Sequence, residues 1–506
     1  MHRILFIACL VFRPLVSESA AVARVLASGY LIDAKAFELI NGLPQDVDRE
    51  IVAERLLDLK ADLPGQAKVI TEEDVLKVLP TGMDRGDGDK PSTVPVATEM
   101  EIVSDPTPAI APAEASEGFN RLFRDRYDRL SAIARGRLDA KGGTHIAAVK
   151  HVQYGKKIKL AALLLGRTNR RNSVEVMVDD PTGTIRVVCQ DDTVARAAMQ
   201  APLDCLVVME VSSSKSGQLY ANSLLLPDIP TRRPIASSHR VYAVMLSDLH
   251  IGSRMFLADD FERFLLWLNG KMGESDIVNR VKYLIIAGDL VDGVGVYPGQ
   301  EFQLAEKDPK KQYEKAAELL KKVPNGIQII ISPGNHDAVR QALPQPAVSP
   351  DIADALYGME NVRWVGDPSY VKLHGVMFLI YHGKSMDDVI ATTPELSYHR
   401  PTDAMKLLLR SRHLAPTYGK RTALSPELRD FLVIDPVPDV MHSGHVHTYG
   451  ELNHRGTLLV NSGTWQGQTN FQSNMGIEPT PSIVPVMDLS TLRVVRRNFS
   501  LGSFLA

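Results

Sequence analysis

Five short apolar runs, each followed at once by polar residues, dominate the second half of the chain. The runs cover residues 241–246, 283–287, 327–331, 376–380 and 437–441. This pattern predicts buried strands in an α/β fold, and we assign residues 235–506 to that domain. The polar residues then fall at the carboxyl ends of strands, which is where α/β sheets bind their ligands.

Residues 160–226 have a different pattern, with five strand-like segments and one helical segment. The strands are predicted at residues 160–166, 174–178, 184–188, 205–211 and 219–226, and the helix at residues 191–200. Asp191 is a suitable N-cap for that helix. Three strands, a helix and two strands is the order of an OB-fold β-barrel. Some OB-folds bind single-stranded nucleic acid and others are protein adaptors, and the pattern leaves both interpretations open.

The first 79 residues form a predicted small helical docking domain. Apolar residues recur at helical spacing, namely Val22, Val25, Leu26, Tyr30, Ala36, Leu39 and Ile40. Asp33 is a suitable N-cap, and Thr71 with Asp74 resembles a capping box. The apolar run at residues 4–12 resembles the core of a signal peptide. A buried first element or a start codon assigned too early explains this run as well.

Composition changes sharply after this domain. Residues 81–118 contain eight acidic and two basic residues, and prolines interrupt the segment throughout. Such a composition offers too little apolar surface to fold, so we predict a disordered acidic linker at residues 80–118. Residues 119–171 have the opposite charge, with fourteen Lys and Arg against three Asp. We assign residues 119–234 to a basic lead-in and the barrel.

The basic segment has two interpretations. It is either a surface that contacts nucleic-acid phosphates or a solvated helix face. Arginines at residues 121–137 fall on a predicted helix, with Phe123 and Tyr127 between them. The candidate DNA-binding residues on the strands and loops are Lys156, Lys157, Lys159, Arg170 and Arg171.

The remaining composition narrows the class of protein. The net charge of −3 over 506 residues is ordinary for a globular protein of several domains. The three cysteines include no CxxC pair, which argues against a disulfide scaffold and for a reducing compartment. No apolar run approaches the ~18 residues of a membrane-spanning helix. We therefore expect a cytoplasmic protein without a membrane partner.

The polar residues that follow the five runs are aspartate, asparagine and histidine. They form the motifs Asp248-x-His250, Gly288-Asp289-x-x-Asp292, Asn335-His336-Asp337, His382 and His445-x-His447. Without thiolates, these residue types suit Mn²⁺, Mg²⁺, Fe²⁺ or Zn²⁺. Seven candidate ligands are too many for one catalytic ion and favour two ions that share a carboxylate, an arrangement suited to phosphodiester hydrolysis.

This set of motifs resembles that of the calcineurin-like metallophosphoesterases. The resemblance implies a β-sandwich flanked by helices. It implies one ion held by Asp248, His250, Asp289 and His447, and a second held by Asp289, Asn335, His382 and His445. It also implies that His336 is catalytic, beside the leaving group, and that Asp337 orients it. We expect Mn²⁺ first, with Mg²⁺, Fe²⁺ or Zn²⁺ as alternatives.

Longer segments resemble the small-subunit family of archaeal family-D DNA polymerases, also called DNA polymerase II. The similar segments are residues 288–300, 381–388, 412–419 and 461–466. The resemblance implies a 3′→5′ exonuclease that proofreads for a separate large polymerase subunit. Its DNA would be single-stranded or a primer–template. The alternatives are a stand-alone phosphodiesterase or phosphatase of the same superfamily, and a non-catalytic scaffold subunit.

Overall fold

The computed structural model describes residues 96–500, apart from residues 112–114, 138–142, 470–471 and 474–475, and scattered residues between 22 and 78. The chain divides into two units, Met1–Pro95 and Val96–Ala506. Among the described helices, none has the length and apolar character needed to span a membrane. The apolar run at residues 4–12 lies outside the described residues.

The described part of the first unit contains a small apolar core. Val22, Val25, Ala36 and Ile40 are helical and buried, as their spacing predicts, while Leu26 and Leu39 lie outside the described residues. The Asp33 carboxylate accepts a hydrogen bond from the amide of Ala36 at 2.7 Å. Thr71 and Asp74 each accept the other's backbone amide, which is the predicted capping box. Leu31–Ile32 and Val69–Ile70 pair as short parallel strands that the sequence pattern does not predict.

The predicted OB-fold is present as a closed five-stranded barrel. Its strands are Lys157–Arg170, Ser173–Asp180, Gly183–Cys189, Leu206–Ser213 and Leu219–Leu225. The helix Asp192–Gln200 lies between the third and fourth strands. Asp191 caps this helix by accepting the amides of Thr193 and Val194 at 2.9 and 3.2 Å. A short helix, Ile146–Val149, precedes the barrel.

The candidate DNA-binding residues form two separate groups at opposite ends of the first barrel strand. Lys156 and Lys157 are exposed and Lys159 is half-buried at its beginning, whereas Arg170 and Arg171 are exposed at its end. Lys157 forms an ion pair with Glu210 at 2.9 Å. The five residues therefore do not form one continuous basic patch.

The basic helix Ala115–Arg135 is attached to the following domain by some of its own arginines. Arg126 is fully buried, and its Nε donates to Asp430 at 2.8 Å while Nη1 donates to the carbonyl of Pro416 at 2.9 Å. Arg129 donates to the carbonyl of Asp430. The interpretation of the whole helix as a phosphate-contacting surface is therefore wrong for Arg126, because its guanidinium is buried, and Arg129 turns one of its nitrogens toward the protein.

Replacing Arg126 with alanine should strongly destabilise this packing. Removal of one partner leaves Asp430 buried without its cation, and breaking a buried ion pair in this way costs about 3–5 kcal/mol. Arg124→Ala, at an exposed position of the same helix, is the matched control and should change little. Urea unfolding of both variants checks this. Equal midpoints for the two variants would contradict the structural role of Arg126.

The second half of the chain, together with one strand at residues 100–104, forms a sandwich of two six-stranded sheets. Across the first sheet, the strands are Val362–Trp364, Gln328–Ser332, Val281–Ala287, Tyr242–Leu246, Ile483–Asp488 and Arg493–Asn498. Across the second sheet, they are Tyr449–His454, Thr457–Ser462, Val440–Ser443, Val376–Ile380, Ser369–Leu373 and Met100–Ser104. The first four strands of the first sheet are mutually parallel.

Alternate residues of each central strand pack on opposite sides, as the two-residue period of a strand requires. In Tyr242–Leu246, Ala243 and Met245 belong to the core that also contains Phe378 of the second sheet. Val244 and Leu246 pack outward in a core with residues of the helices Ala258–Leu268 and Pro309–Leu320. The helices Met386–Thr392 and Pro401–Ser411 share a core with the outer residues of the second sheet. The predicted helix-flanked β-sandwich is confirmed.

Short helices and turns complete the described elements. They are Ser275–Val278, Asp354–Tyr357 and the 3₁₀ turns Thr107–Ala109 and Gln300–Phe302.

Two boundaries differ from the predictions. The strand expected at residues 437–441 is Val440–Ser443, because Pro438 has no amide hydrogen for a sheet. The predicted disordered linker is wrong for its described C-terminal part, since Met100–Ser104 pairs with Ser369–Leu373 at the edge of the second sheet. A five-residue edge strand with exposed side chains contributes little to the average composition of a 39-residue segment.

Candidate metal centre

The carboxyl ends of five strands meet at one edge of the sandwich and carry the predicted site residues. The strands are Tyr242–Leu246, Val281–Ala287, Gln328–Ser332, Val376–Ile380 and Val440–Ser443. The first three belong to one sheet and the last two to the other. The sandwich therefore brings motifs that are up to 200 residues apart in sequence to one place.

Asp248, His250 and His447 form the first group of potential ligands. Nε2 of His250 lies 3.1 Å from Nε2 of His447, and Oδ1 of Asp248 lies 3.4 Å from the latter nitrogen. Nδ1 of His250 donates to the carboxylate of Asp292 at 2.9 Å, so Nε2 carries the lone pair of the neutral ring. A carboxylate and two imidazoles that converge at this spacing suit one divalent ion.

The second group contains Asp289, His382 and Asn335. Nε2 of His382 lies 3.2 Å from Asp289 Oδ2 and 3.0 Å from Asn335 Oδ1. Nδ1 of His382 donates to the carbonyl of Ala287 at 2.9 Å, which again leaves Nε2 for a cation. The same Oδ2 of Asp289 is 3.8 Å from Nε2 of His250 in the first group. Asp289 is thus the carboxylate that lies between the groups.

His445 is oriented differently from the other predicted ligands. Its Nε2 lies 3.3 Å from the carboxylate of Asp387, and the hydroxyl of Tyr398 donates to the same carboxylate at 2.9 Å. The ring of His445 packs against that of His382 with centroids 5.2 Å apart. Because Asp387 engages Nε2, only Nδ1 of His445 remains for an ion.

The electrostatics of the buried centre favour cations. Burial alone would raise the pKa of Asp289, but His382 and His336 hold it well below its ordinary value. Burial lowers the pKa of His382, yet Asp289 and Asp248 raise it overall to about 10. The carboxylates therefore favour a proton on the ring of His382. Divalent ions would displace this proton, so the residues fit such a cofactor.

The backbone is strained at most of the predicted ligands. Asp248, His250, Asp289, His445 and His447 have φ values of 53°, 52°, 52°, 71° and 58°. Non-glycine residues rarely adopt this left-handed conformation, which costs on the order of 1 kcal/mol each and persists only where the surroundings enforce it. Five such residues in one cluster mark this edge of the sandwich as the functional site.

Two glycines allow the backbone to approach the ligand carboxylates closely. A Cβ atom at Gly334 would lie 2.2 Å from Oδ1 of Asp289, and one at Gly444 would lie 2.2 Å from Oδ2 of Asp248. No side chain fits at these distances. The glycines in the Asn335 and His445 motifs are therefore required by space rather than by chain flexibility.

His336 lies beside the two groups, but it is not oriented by Asp337 as predicted. Its Nδ1 donates to the carbonyl oxygen of Asp292 at 2.8 Å. Asp337 is turned away and accepts the hydroxyl of Tyr313 and the amide of Gly334, both at 2.9 Å. The prediction for Asp337 is wrong because the turn after His336 directs its carboxylate into the interior, where it holds loops together.

Two residues that matter for the site carry no predicted role. Asp292 holds His250 through its carboxylate and His336 through its carbonyl, and it forms a third close group with them. The position of Asp292 in the Gly-Asp-x-x-Asp motif was the sequence signal that could have indicated its role. Asp387 sets the ring orientation of His445, and no local pattern distinguishes it from an ordinary helix residue.

A cavity of about 600 Å³ opens over the centre. His250, Asp289, Asn335, His336, His445 and His447 line it. The cavity lies in the ~300–1,000 Å³ range of pockets that bind small ligands. Its other lining residues include the aromatic rings of Tyr297 and Tyr398 and the guanidinium of Arg421.

The two sheets, their flanking helices and the strand-end groups define a calcineurin-like phosphoesterase fold joined to an OB-like barrel. Residues 243–450 match the family of the B subunits of DNA polymerases alpha and epsilon. The chain is 38% identical over 492 residues to the DNA polymerase II small subunit of Archaeoglobus fulgidus, covering 93% of this chain and 96% of that one. The chain belongs to the family of archaeal DNA polymerase II small subunits.

Other similarities cover less of this chain. The DNA polymerase II small subunit of Pyrococcus furiosus is 42% identical over 386 residues, which are 75% of this chain and 63% of that one. The chain thus spans less than two thirds of this relative. A solved archaeal phosphodiesterase aligns with 51% of this chain and 99% of its own at 13% identity, with a TM-score of 0.28.

Proposed function

We propose that this chain is the 3′→5′ exonuclease subunit of an archaeal replicative DNA polymerase and removes nucleotides from single-stranded or primer–template DNA. The observation that carries the proposal is the convergence of Asp248, Asp289 and five imidazole or amide ligands under an open cavity. Membership in the family supports the polymerase context and a separate large subunit as partner. Archaeal DNA lies in the cytoplasm, which is where this activity would operate.

The site residues have distinct proposed tasks. Asp248, His250, Asp289 and His447 would hold one divalent ion, and Asp289, Asn335, His382 and His445 the other, with Mn²⁺ as the first candidate. Such ions polarise a phosphodiester and lower the pKa of bound water. Asp292 and Asp387 orient the ring nitrogens of His250 and His445.

His336 has the proposed role of general acid. Its Nδ1 is committed to the carbonyl of Asp292, so Nε2 is the nitrogen available to a substrate. Burial lowers the pKa of His336, and the negative charge of a bound phosphodiester would favour its protonated form. The ring could then donate a proton to the departing 3′-oxygen.

A direct assay tests the activity. The purified full chain, loaded with Mn²⁺, is incubated with single-stranded DNA labelled at its 5′ end. Stepwise shortening that a chelator stops, and that Asp289→Asn abolishes, is the expected result. Release of internal fragments, or hydrolysis of small phosphoesters without any action on DNA, would overturn the assignment.

The lysines at the start of the first barrel strand should contribute to DNA binding. Replacing Lys156, Lys157 and Lys159 by glutamine should reduce the slope of log affinity against log salt by up to about 2, at about 0.7 per lost phosphate contact. Lys321→Gln with Lys322→Gln, at exposed positions directly after the helix Pro309–Leu320, is the control. An unchanged slope in the triple variant would assign these lysines to the solvated surface.

A further inference from the structure

The loop between Asp292 and the 3₁₀ turn Gln300–Phe302 forms an apolar part of the cavity wall. Val296, Tyr297 and Pro298 are consecutive in sequence and all line the cavity, whereas the ligand groups beneath are polar. The ring of Tyr297 lies against that of His336, with centroids 6.2 Å apart. An aromatic ring therefore stands next to the proposed general acid, at a position that neither ion binding nor proton transfer explains.

This loop is held in place by buried amide side chains. Gln300 is fully buried, accepts the amide of Val296 at 2.9 Å and donates to the carbonyl of Asp292 at 2.7 Å. The fully buried Gln312 accepts the amide of Gly293 at 2.8 Å. The same carbonyl of Asp292 accepts a hydrogen bond from Nδ1 of His336. The loop that carries Tyr297 and the ring of His336 are therefore held by one carbonyl group. The tyrosine is therefore positioned before any substrate binds, which lowers the entropic cost of an aromatic contact.

We propose that Tyr297 is the stacking platform for a nucleobase, namely the base of the nucleotide that carries the departing 3′-oxygen. This inference rests on the proposed function and adds the substrate contact that the metal groups do not provide. The neighbouring His336 would donate to that 3′-oxygen, and the base on the same sugar is the flat apolar group nearest to it. In a 3′→5′ exonuclease substrate the nucleotide with that 3′-oxygen is the penultimate one, so the penultimate base is the one expected to stack on Tyr297.

The chemistry of the wall indicates recognition without sequence preference. Val296 and Pro298 offer no side-chain hydrogen-bonding groups, and the hydroxyl of Tyr297 points to Gln303, 3.3 Å away. Stacking on an aromatic face is available to all four bases and is worth roughly ten- to hundredfold in affinity per base. Such a contact suits a nuclease that must act on any 3′ end.

A coupling experiment between protein and DNA tests the proposal. The full chain and its Tyr297→Ala, Tyr297→Phe and Phe302→Ala variants are assayed for removal of the last nucleotide from three single strands. One strand is natural, one lacks the penultimate base and one lacks the terminal base. Phe302→Ala is the matched control, because Phe302 is 76% exposed on the adjoining turn and does not line the cavity.

For the wild type, loss of the penultimate base should lower kcat/KM roughly ten- to hundredfold. On the natural strand, Tyr297→Ala should lower kcat/KM by a similar factor. On the strand without the penultimate base, Tyr297→Ala should have the same kcat/KM as the wild type. Tyr297→Phe keeps the aromatic ring and should keep the dependence on the penultimate base, and Phe302→Ala should behave as the wild type. An equal loss by Tyr297→Ala on all three strands, or coupling to the terminal base, would overturn the proposal.

A binding readout separates this inference from the proposed function. A strand with 2-aminopurine at the penultimate position, bound in the presence of a chelator, should be quenched by the wild type and Tyr297→Phe but not by Tyr297→Ala. Quenching with no turnover by the metal-loaded wild type would refute the nuclease while supporting the platform. Turnover with identical fluorescence in Tyr297→Ala and wild type would refute the platform alone.

Discussion

Replacing His336 with alanine should lower cleavage of single-stranded DNA by about 10²–10⁴-fold while leaving metal content and DNA binding near normal. The side chain hydrogen-bonds to the carbonyl of Asp292 and lines the cavity, whereas the two groups of proposed ligands are formed by other residues. Its removal should therefore eliminate proton donation without dismantling the centre. Single-turnover rates, elemental analysis and strand binding measure the three properties separately.

His399→Ala provides the control, since it removes an exposed histidine that follows the cavity-lining Tyr398 in sequence. This variant should retain wild-type turnover. If His336→Ala keeps more than about a tenth of the wild-type rate, the general-acid role is wrong. If it loses metal or fails to assemble with a large subunit, the residue supports the structure instead.

Asp289→Asn should remove both ions, whereas His250→Ala should weaken mainly one. Oδ2 of Asp289 lies 3.2 Å from Nε2 of His382 and 3.8 Å from Nε2 of His250, so one carboxylate serves both groups. The asparagine keeps the shape but loses the charge that both ions require. Metal stoichiometry after gel filtration, measured for both variants and the wild type, is the decisive quantity.

The expected stoichiometries are close to zero for Asp289→Asn and close to one for His250→Ala, against two for the wild type. Circular dichroism and thermal unfolding establish that both variants are folded. Equal loss of metal in the two variants would contradict the bridging position of Asp289. Retention of two ions by Asp289→Asn would place the shared ligand elsewhere.

The sequence predicted the strands and the candidate ligands because both leave local signals. Strands that are buried on both faces are continuous apolar runs, so four of the five runs match observed strands within about two residues. The fifth was displaced by Pro438. The ligands follow these runs directly, which makes their residue types readable without any three-dimensional information. The barrel was predicted for the same reason, from strand order and the Asp191 cap.

Contacts between side chains that are far apart in sequence were not predictable in this way. Asp387 and His445 are 58 positions apart in sequence and meet only because Met386–Thr392 packs beside the second sheet. Likewise, an arginine such as Arg126 often contacts DNA, but its guanidinium is buried here and donates to Asp430 and Pro416, about 300 positions away in sequence. Charge along a chain does not reveal which charges become buried.

The sequence by itself thus determined the fold class, the barrel and the identities of the candidate ligands, since apolar periodicity and residue type are local properties. Only the tertiary structure decided which group orients which. The side chain of His336 donates a hydrogen bond to the carbonyl of Asp292 rather than to Asp337, and the ring of Tyr297 lies beside the imidazole of His336. The physical reason is that hydrogen bonds act over about 3 Å, and the backbone turns that bring these atoms together depend on packing across both sheets.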